Sequence, residues 1–113
     1  MSKQQGGWIG VDLDGTLAYY DKWRGIEHIG DPIPAMLARV QNWLEQGIQV
    51  KIFTARAGDA RALPYIVAYL AKHGIPGLPI TNIKDYAMIE LWDDRCIQVT
   101  PNTGMPVRRV PSN

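Results

Sequence analysis

Side chains able to bind phosphate or a cation stand just beyond short apolar runs in this 113-residue chain. Asp12 and Asp14 follow Trp8-Ile9-Gly10-Val11, Thr54 follows Val50-Lys51-Ile52-Phe53, Lys84 follows Leu78-Pro79-Ile80-Thr81, and Asp93 and Asp94 follow Met88 to Trp92. If those runs are adjacent strands, residues far apart in sequence meet on one rim and four carboxylates converge. Such a cluster repels itself at low effective dielectric and persists only with a bound cation or with protons on it. Oxygen donors with no histidine among them favour Mg2+ over zinc or copper.

The elements that would hold these groups follow from periodicity. Trp8 to Val11 is apolar without helical period, and Asp12-Leu13-Asp14-Gly15-Thr16 signals a turn, so a strand leading into a loop is expected. Leu17 to Pro34 fits neither period and is read as a flap or excursion. Ile33, Met36, Leu37, Val40, Trp43 and Leu44 recur at helical spacing, with Pro34 suited to the first turn and Gly47 to the stop. Ile48 to Phe53 is a β-branched run ending at Thr54. A second helical stripe runs through Leu63, Ile66, Val67 and Leu70, with Asp59 as candidate cap and Gly74 after its end. Leu78 to Thr81 is a third strand, put at a sheet edge by Pro76 and Pro79. Met88 to Trp92 is a fourth, and Cys96 to Val99 a short fifth before Pro101. Alternating strands and helices predict an α/β fold, a Rossmann-like parallel sheet with helices on both faces in three layers, whose ligand crevice lies at the carboxyl ends of the strands.

Composition narrows the class. The length suits a single domain spanning 1–113, with 105–113 expected as a flexible tail because Pro106, Pro111 and paired arginines dominate it. Lysine plus arginine number 12 against 11 acidic residues, a net charge of +1 that gives no general attraction to nucleic acid or anionic lipid. Hydrophobic residues at 46% and charged residues at 20% exclude a disordered chain. Cys96 is the single cysteine, so no internal disulfide or multi-cysteine zinc site can form, and a reducing, cytoplasmic setting is expected. The first residues carry no apolar signal-peptide core, and no stretch reaches the roughly 18 apolar residues of a spanning helix, so the sequence predicts neither secretion nor a membrane partner.

Asp12-Leu13-Asp14-Gly15-Thr16 after an apolar strand resembles the nucleophile motif of the haloacid dehalogenase (HAD) superfamily of phosphatases. Thr54 resembles its second motif, Lys84 its third, and Leu91-Trp92-Asp93-Asp94 its acidic fourth; the likeness spans residues 8 to 99. The resemblance implies a HAD-like hydrolase fold and a Mg2+-dependent phosphatase that hydrolyses a phosphomonoester. Asp12 would attack phosphorus to give an aspartyl phosphate. Asp14 would protonate the leaving oxygen and then deprotonate water. Thr54, Ala55, Arg56 and Lys84 would hold phosphoryl oxygens, with Lys84 also offsetting the charge on Asp12. The metal would sit among Asp12, the Asp14 backbone carbonyl and the Asp93-Asp94 pair, with Asp93 the first choice for direct ligand. Thr16 would fix the turn through its hydroxyl.

Simpler readings remain open at several positions. Thr54 alone is an ordinary strand end and Lys84 a solvated lysine. Arg56 either reaches substrate or pairs with Asp59 or another surface acid, and Arg95 reads as an ion-pair partner for the acidic rim. His28 and His73 lack ligand spacing. With only Leu17 to Pro34 between the first strand and its helix there is no room for a full cap domain. By analogy with capless members, an open site would admit a bulky phosphorylated group such as a nucleic acid end or a phosphoprotein, unless another subunit of an oligomer covers it. Thr54-Ala55-Arg56 and Asp93-Asp94-Arg95 resemble pieces of small nucleotidase-like and polynucleotide-phosphatase-like members, which tilts the substrate class towards nucleotides. Tyr19, Tyr20 and Trp23 either stack a base or seal a contact. The competing functional class is a noncatalytic phosphate- or nucleotide-binding module.

Overall fold

The computed structural model describes residues 6–107. Four strands, β1 (Trp8–Val11), β2 (Gln49–Phe53), β3 (Ile80–Thr81) and β4 (Met88–Trp92), form one parallel sheet in the order β3-β2-β1-β4. Two α-helices, α1 (Pro34–Glu45) and α2 (Leu63–Lys72), supply the crossovers from β1 to β2 and from β2 to β3. This is a compact α/β fold with a Rossmann-like layout. No helix among the described residues is long and apolar enough to cross a membrane.

Both crossovers step in the same direction along the sheet, and right-handed connections stepping the same way must lie on the same face. Residue parity agrees. Ile9 and Val11 of β1 and Val50 and Ile52 of β2 point one way and share a single core with Met36, Val40 and Trp43 of α1 and Ile66, Tyr69 and Leu70 of α2. The expectation of helices on both faces therefore fails among the described residues, because strand order, not mere alternation, decides where each helix lands. Segment 82–87 returns to β4 across the opposite face instead. There Trp8 is 2% exposed, its Nε1 donating to Asp85 Oδ1 at 2.9 Å and its ring lying 4.4 Å from the Lys51 ammonium.

The expected fifth strand is also absent from the described residues. After β4 the chain turns away at Asp93, whose Oδ1 accepts the Arg95 N–H, and the Cys96 to Val99 run meets no sheet edge. It folds back on itself: the Val107 N–H donates to the Gln98 carbonyl at 2.7 Å and the Thr100 N–H to the Met105 carbonyl at 2.8 Å. The expected flexible tail thus begins with hydrogen-bonded residues at 105–107, and the remainder of it lies outside the described residues.

The excursion between β1 and α1 is a loop closed at its neck. Tyr19 N–H donates to the Asp31 carbonyl and Ile33 N–H to the Leu17 carbonyl, with an antiparallel bridge between Ala18 and Pro32. Asp59 caps a short 3-10 turn ahead of α2 by accepting the Arg61 N–H.

Candidate functional site

Because every strand points the same way, the residues that follow them gather at one sheet edge: Asp12 after β1, Thr54 after β2, Asn82 after β3, and Asp93 and Asp94 after β4. Strand order reverses at the β1–β4 pair, where a crevice is expected in an open parallel sheet. Asp12, Asp93 and Asp94 meet there, each offering a carboxylate oxygen within 4.8 Å of the others. All three line a cavity of about 620 Å³ together with Asp14, Thr54, Ala55 and Arg56.

The electrostatics of the trio bear on what it can hold. Burial, then the neighbouring charge of Asp93 and a hydrogen bond with Asp94, push the Asp12 carboxyl up from 3.8 to about 7. A divalent cation among the three would remove that repulsion, and an all-oxygen donor set is the kind that suits Mg2+. Since protons and cation compete for Asp12, added Mg2+ should raise the melting temperature more at pH 8 than at pH 5. Thermal unfolding with and without the metal at the two pH values checks this.

Thr16 ties the two acidic loops together. Its hydroxyl accepts the Asp94 N–H at 3.0 Å and lies 3.2 Å from Asp94 Oδ1 and 3.5 Å from Asp12 Oδ2, close enough to donate to one of them. Gly15 precedes it with φ of +92°, and a Cβ there would meet the Asp94 carboxylate at 2.5 Å. Glycine is thus required twice over, by backbone conformation and by space. Gly15→Ala should cost about 1–2 kcal/mol from the positive φ alone and displace Asp94. The checks are a shifted denaturation midpoint and a weaker Mg2+ response in a melting titration.

Asp14 does not join the trio through its side chain. Its carboxylate is clasped by Arg56, with Nε to Oδ2 and Nη2 to Oδ1 both at 2.8 Å. The Arg56 side chain is only 6% exposed, so this bidentate pair sits largely out of water, where such geometry is strongest. The same guanidinium donates to the His28 carbonyl at 3.0 Å and the Ile26 carbonyl at 3.4 Å and lies 4.8 Å from the centre of the Trp23 ring. Arg56 therefore pairs with Asp14, whereas Asp59 takes Arg61 as its partner. A smaller cavity of about 290 Å³ lies under the flap, with Asp14 and Arg56 lining it as well.

Thr54 is 3% exposed, and its hydroxyl accepts the Arg56 N–H at 3.1 Å, which caps the 3-10 turn Ala55–Gly58 and leaves the hydroxyl hydrogen to donate elsewhere. Lys84 is exposed in segment 82–87 and is not among the residues lining the larger cavity. Asn82 lines it instead, as do Tyr20, Trp23, Phe53 and Arg95. The rule that singled out Asp12 and Thr54, the first polar residue after a strand, would also have found Asn82. The Asp14–Arg56 pair had no sequence signal beyond opposite charge. Compared against protein-family models, curated proteins and solved structures, the chain has no match in any of the three, so the arrangement of these side chains is itself the ground for a functional reading.

Proposed function

We propose that this protein is a Mg2+-dependent phosphomonoester hydrolase of the HAD type, acting in the cytoplasm through an aspartyl phosphate at Asp12. The observation that carries the reading is the convergence of Asp12, Asp93 and Asp94 on one cavity that Asp14, Thr54 and Arg56 also line. Asp12 Oδ attacks phosphorus, the bond from phosphorus to the leaving oxygen breaks, and that oxygen takes a proton from Asp14. Water, giving its proton to Asp14, then attacks phosphorus, releasing phosphate and restoring the Asp12 carboxylate. Bound Mg2+ supplies the positive charge that lets an ionised Asp12 approach a phosphate dianion. The Thr54 hydroxyl hydrogen is a donor for a phosphoryl oxygen. Both Asp14 oxygens accept from Arg56, so proton transfer requires that one of them be released. Phosphoryl oxygens competing for the same N–H groups provide a means of releasing it.

Phosphate release from nucleotides, 3′-phosphorylated oligonucleotides and sugar phosphates, with Mg2+ and with chelator, tests the reading. Metal-dependent release from at least one class is expected. A noncatalytic phosphate-binding module is the second reading, favoured by the occupied Asp14 and by Lys84 lying outside the cavity lining. Metal-dependent binding of the same esters with no release of phosphate would select it.

A further inference from the structure

Three aromatic residues line the larger cavity together with the acidic trio. Tyr20 and Trp23 enter it from the flap and Phe53 from the end of β2. Aromatic rings that serve packing are buried, as Trp8 and Trp43 are at 2% and 7% exposure; Trp23 is 55% exposed and Tyr20 44%. Trp23 is nevertheless held in place. The Arg56 guanidinium backs one face of its ring, and Arg56 is itself fixed by Asp14 and by the Ile26 and His28 carbonyls. An indole braced by a fixed guanidinium yet 55% exposed loses little further freedom when a flat ring settles on its free surface. A sugar can lay only its C–H faces on such a wall, whereas every nucleobase has a full π-face to stack there. Asn82 and Arg95, which line the same cavity, supply polar groups for the edge of a base.

We propose that this wall is a base-stacking subsite, with Trp23 as its platform, so that the ester taken at Asp12 is a nucleoside monophosphate or the phosphorylated end of a nucleic acid. The proposal rests on the phosphatase reading for the position of the phosphate and on the aromatic wall alone for the base.

The test compares adenosine 5′- and 3′-monophosphate with ribose 5-phosphate, which carries phosphate and sugar without a base. Binding to Asp12→Asn in Mg2+ is read by calorimetry and tryptophan fluorescence, and any loss of metal affinity in that variant cancels in the ratio between ligands. At least one nucleotide should bind about 10-fold or more tightly than ribose 5-phosphate. Trp23→Leu should bring the ratio close to one, Trp23→Phe should keep most of it, and Tyr20→Leu, which leaves the contact with Arg56 intact, should reduce it in part. Circular dichroism verifies that each variant is folded. Equal binding of nucleotide and ribose phosphate, or a preference that survives Trp23→Leu, overturns the subsite. Base-dependent binding without phosphate release by the unaltered protein keeps the subsite and rejects the hydrolase. Metal-dependent release from nucleotide and ribose phosphate at equal kcat/KM does the reverse, and failure of every ligand to bind rejects both.

Discussion

Asp12→Asn is expected to abolish Mg2+-dependent phosphate release and, at the same time, to stabilise the metal-free protein at pH 8. Loss of a covalent nucleophile typically lowers kcat by about 10⁴-fold or more. The stability effect follows from the raised pKa. Asp12 titrates at about 7 in the folded chain against 3.8 ordinarily, so between those values the folded state holds a proton that the unfolded state has lost. Stability of the metal-free protein therefore falls as pH rises from about 4 to about 7 and stays lowered above that. Asp21, Asp59 and Asp85 are held below the usual carboxylate value by their hydrogen-bond donors and so titrate below this window. An asparagine has no charge to bury, and the Asp12 part of the slope should vanish. Melting temperatures at pH 5 and pH 8 in chelator, for both proteins, decide it. A variant less stable than the parent at pH 8 would mean that the carboxylate is not under repulsion, and retained metal-dependent turnover would remove Asp12 from the chemistry.

Arg56→Ala should have the largest effect on the fold. It strips the partner from a carboxylate only 20% exposed, removes the donor to two flap carbonyls and takes away the support behind Trp23. Breaking a buried ion pair from one side costs about 3–5 kcal/mol, and the partial exposure of Asp14 puts the expectation at about 2–4 kcal/mol in urea unfolding. Lysine cannot reproduce a planar fork that serves both carboxylate oxygens and the carbonyls, so Arg56→Lys should retain about half of the stabilisation. The flap gives a separate readout, since Lys22 and Arg24 are exposed there as trypsin sites. Cleavage after them should speed up by about 10-fold in Arg56→Ala, with Arg56→Lys between the two. If both variants resist trypsin as well as the parent does, the neck at Ala18 and Pro32 holds the loop by itself.

Local pattern carried much of the architecture. The apolar run at Trp8, the β-branched run through Ile52 and the stripes through Val40 and Ile66 each became the element their period predicts. Pro79 beside β3 correctly marked an edge strand. What the sequence concealed was decided over long range. Alternation of strands and helices implies a parallel sheet but not the side each helix takes. Cys96 to Val99 has strand-like composition, yet the turn at Asp93 directs it away from β4. The flap has no period because its order comes from Arg56, which lies 30 positions from Ile26 in sequence. In the site, the strand-end rule found Asp12, Thr54, Asp93 and Asp94, but it could not reveal that the Asp14 carboxylate is engaged by Arg56.

Trp8 has a consequence for the robustness of the fold. On the helix side of the sheet, the loss of one apolar side chain is shared among many neighbours from two elements. On the other side, Trp8 lies with Met88 and Leu91 over Gly10, between a lysine and an aspartate, and no helix covers them among the described residues. Tolerance to substitution should therefore be lopsided, graded beneath the helices and steeper at Trp8, a buried ring that stands apart from the main core.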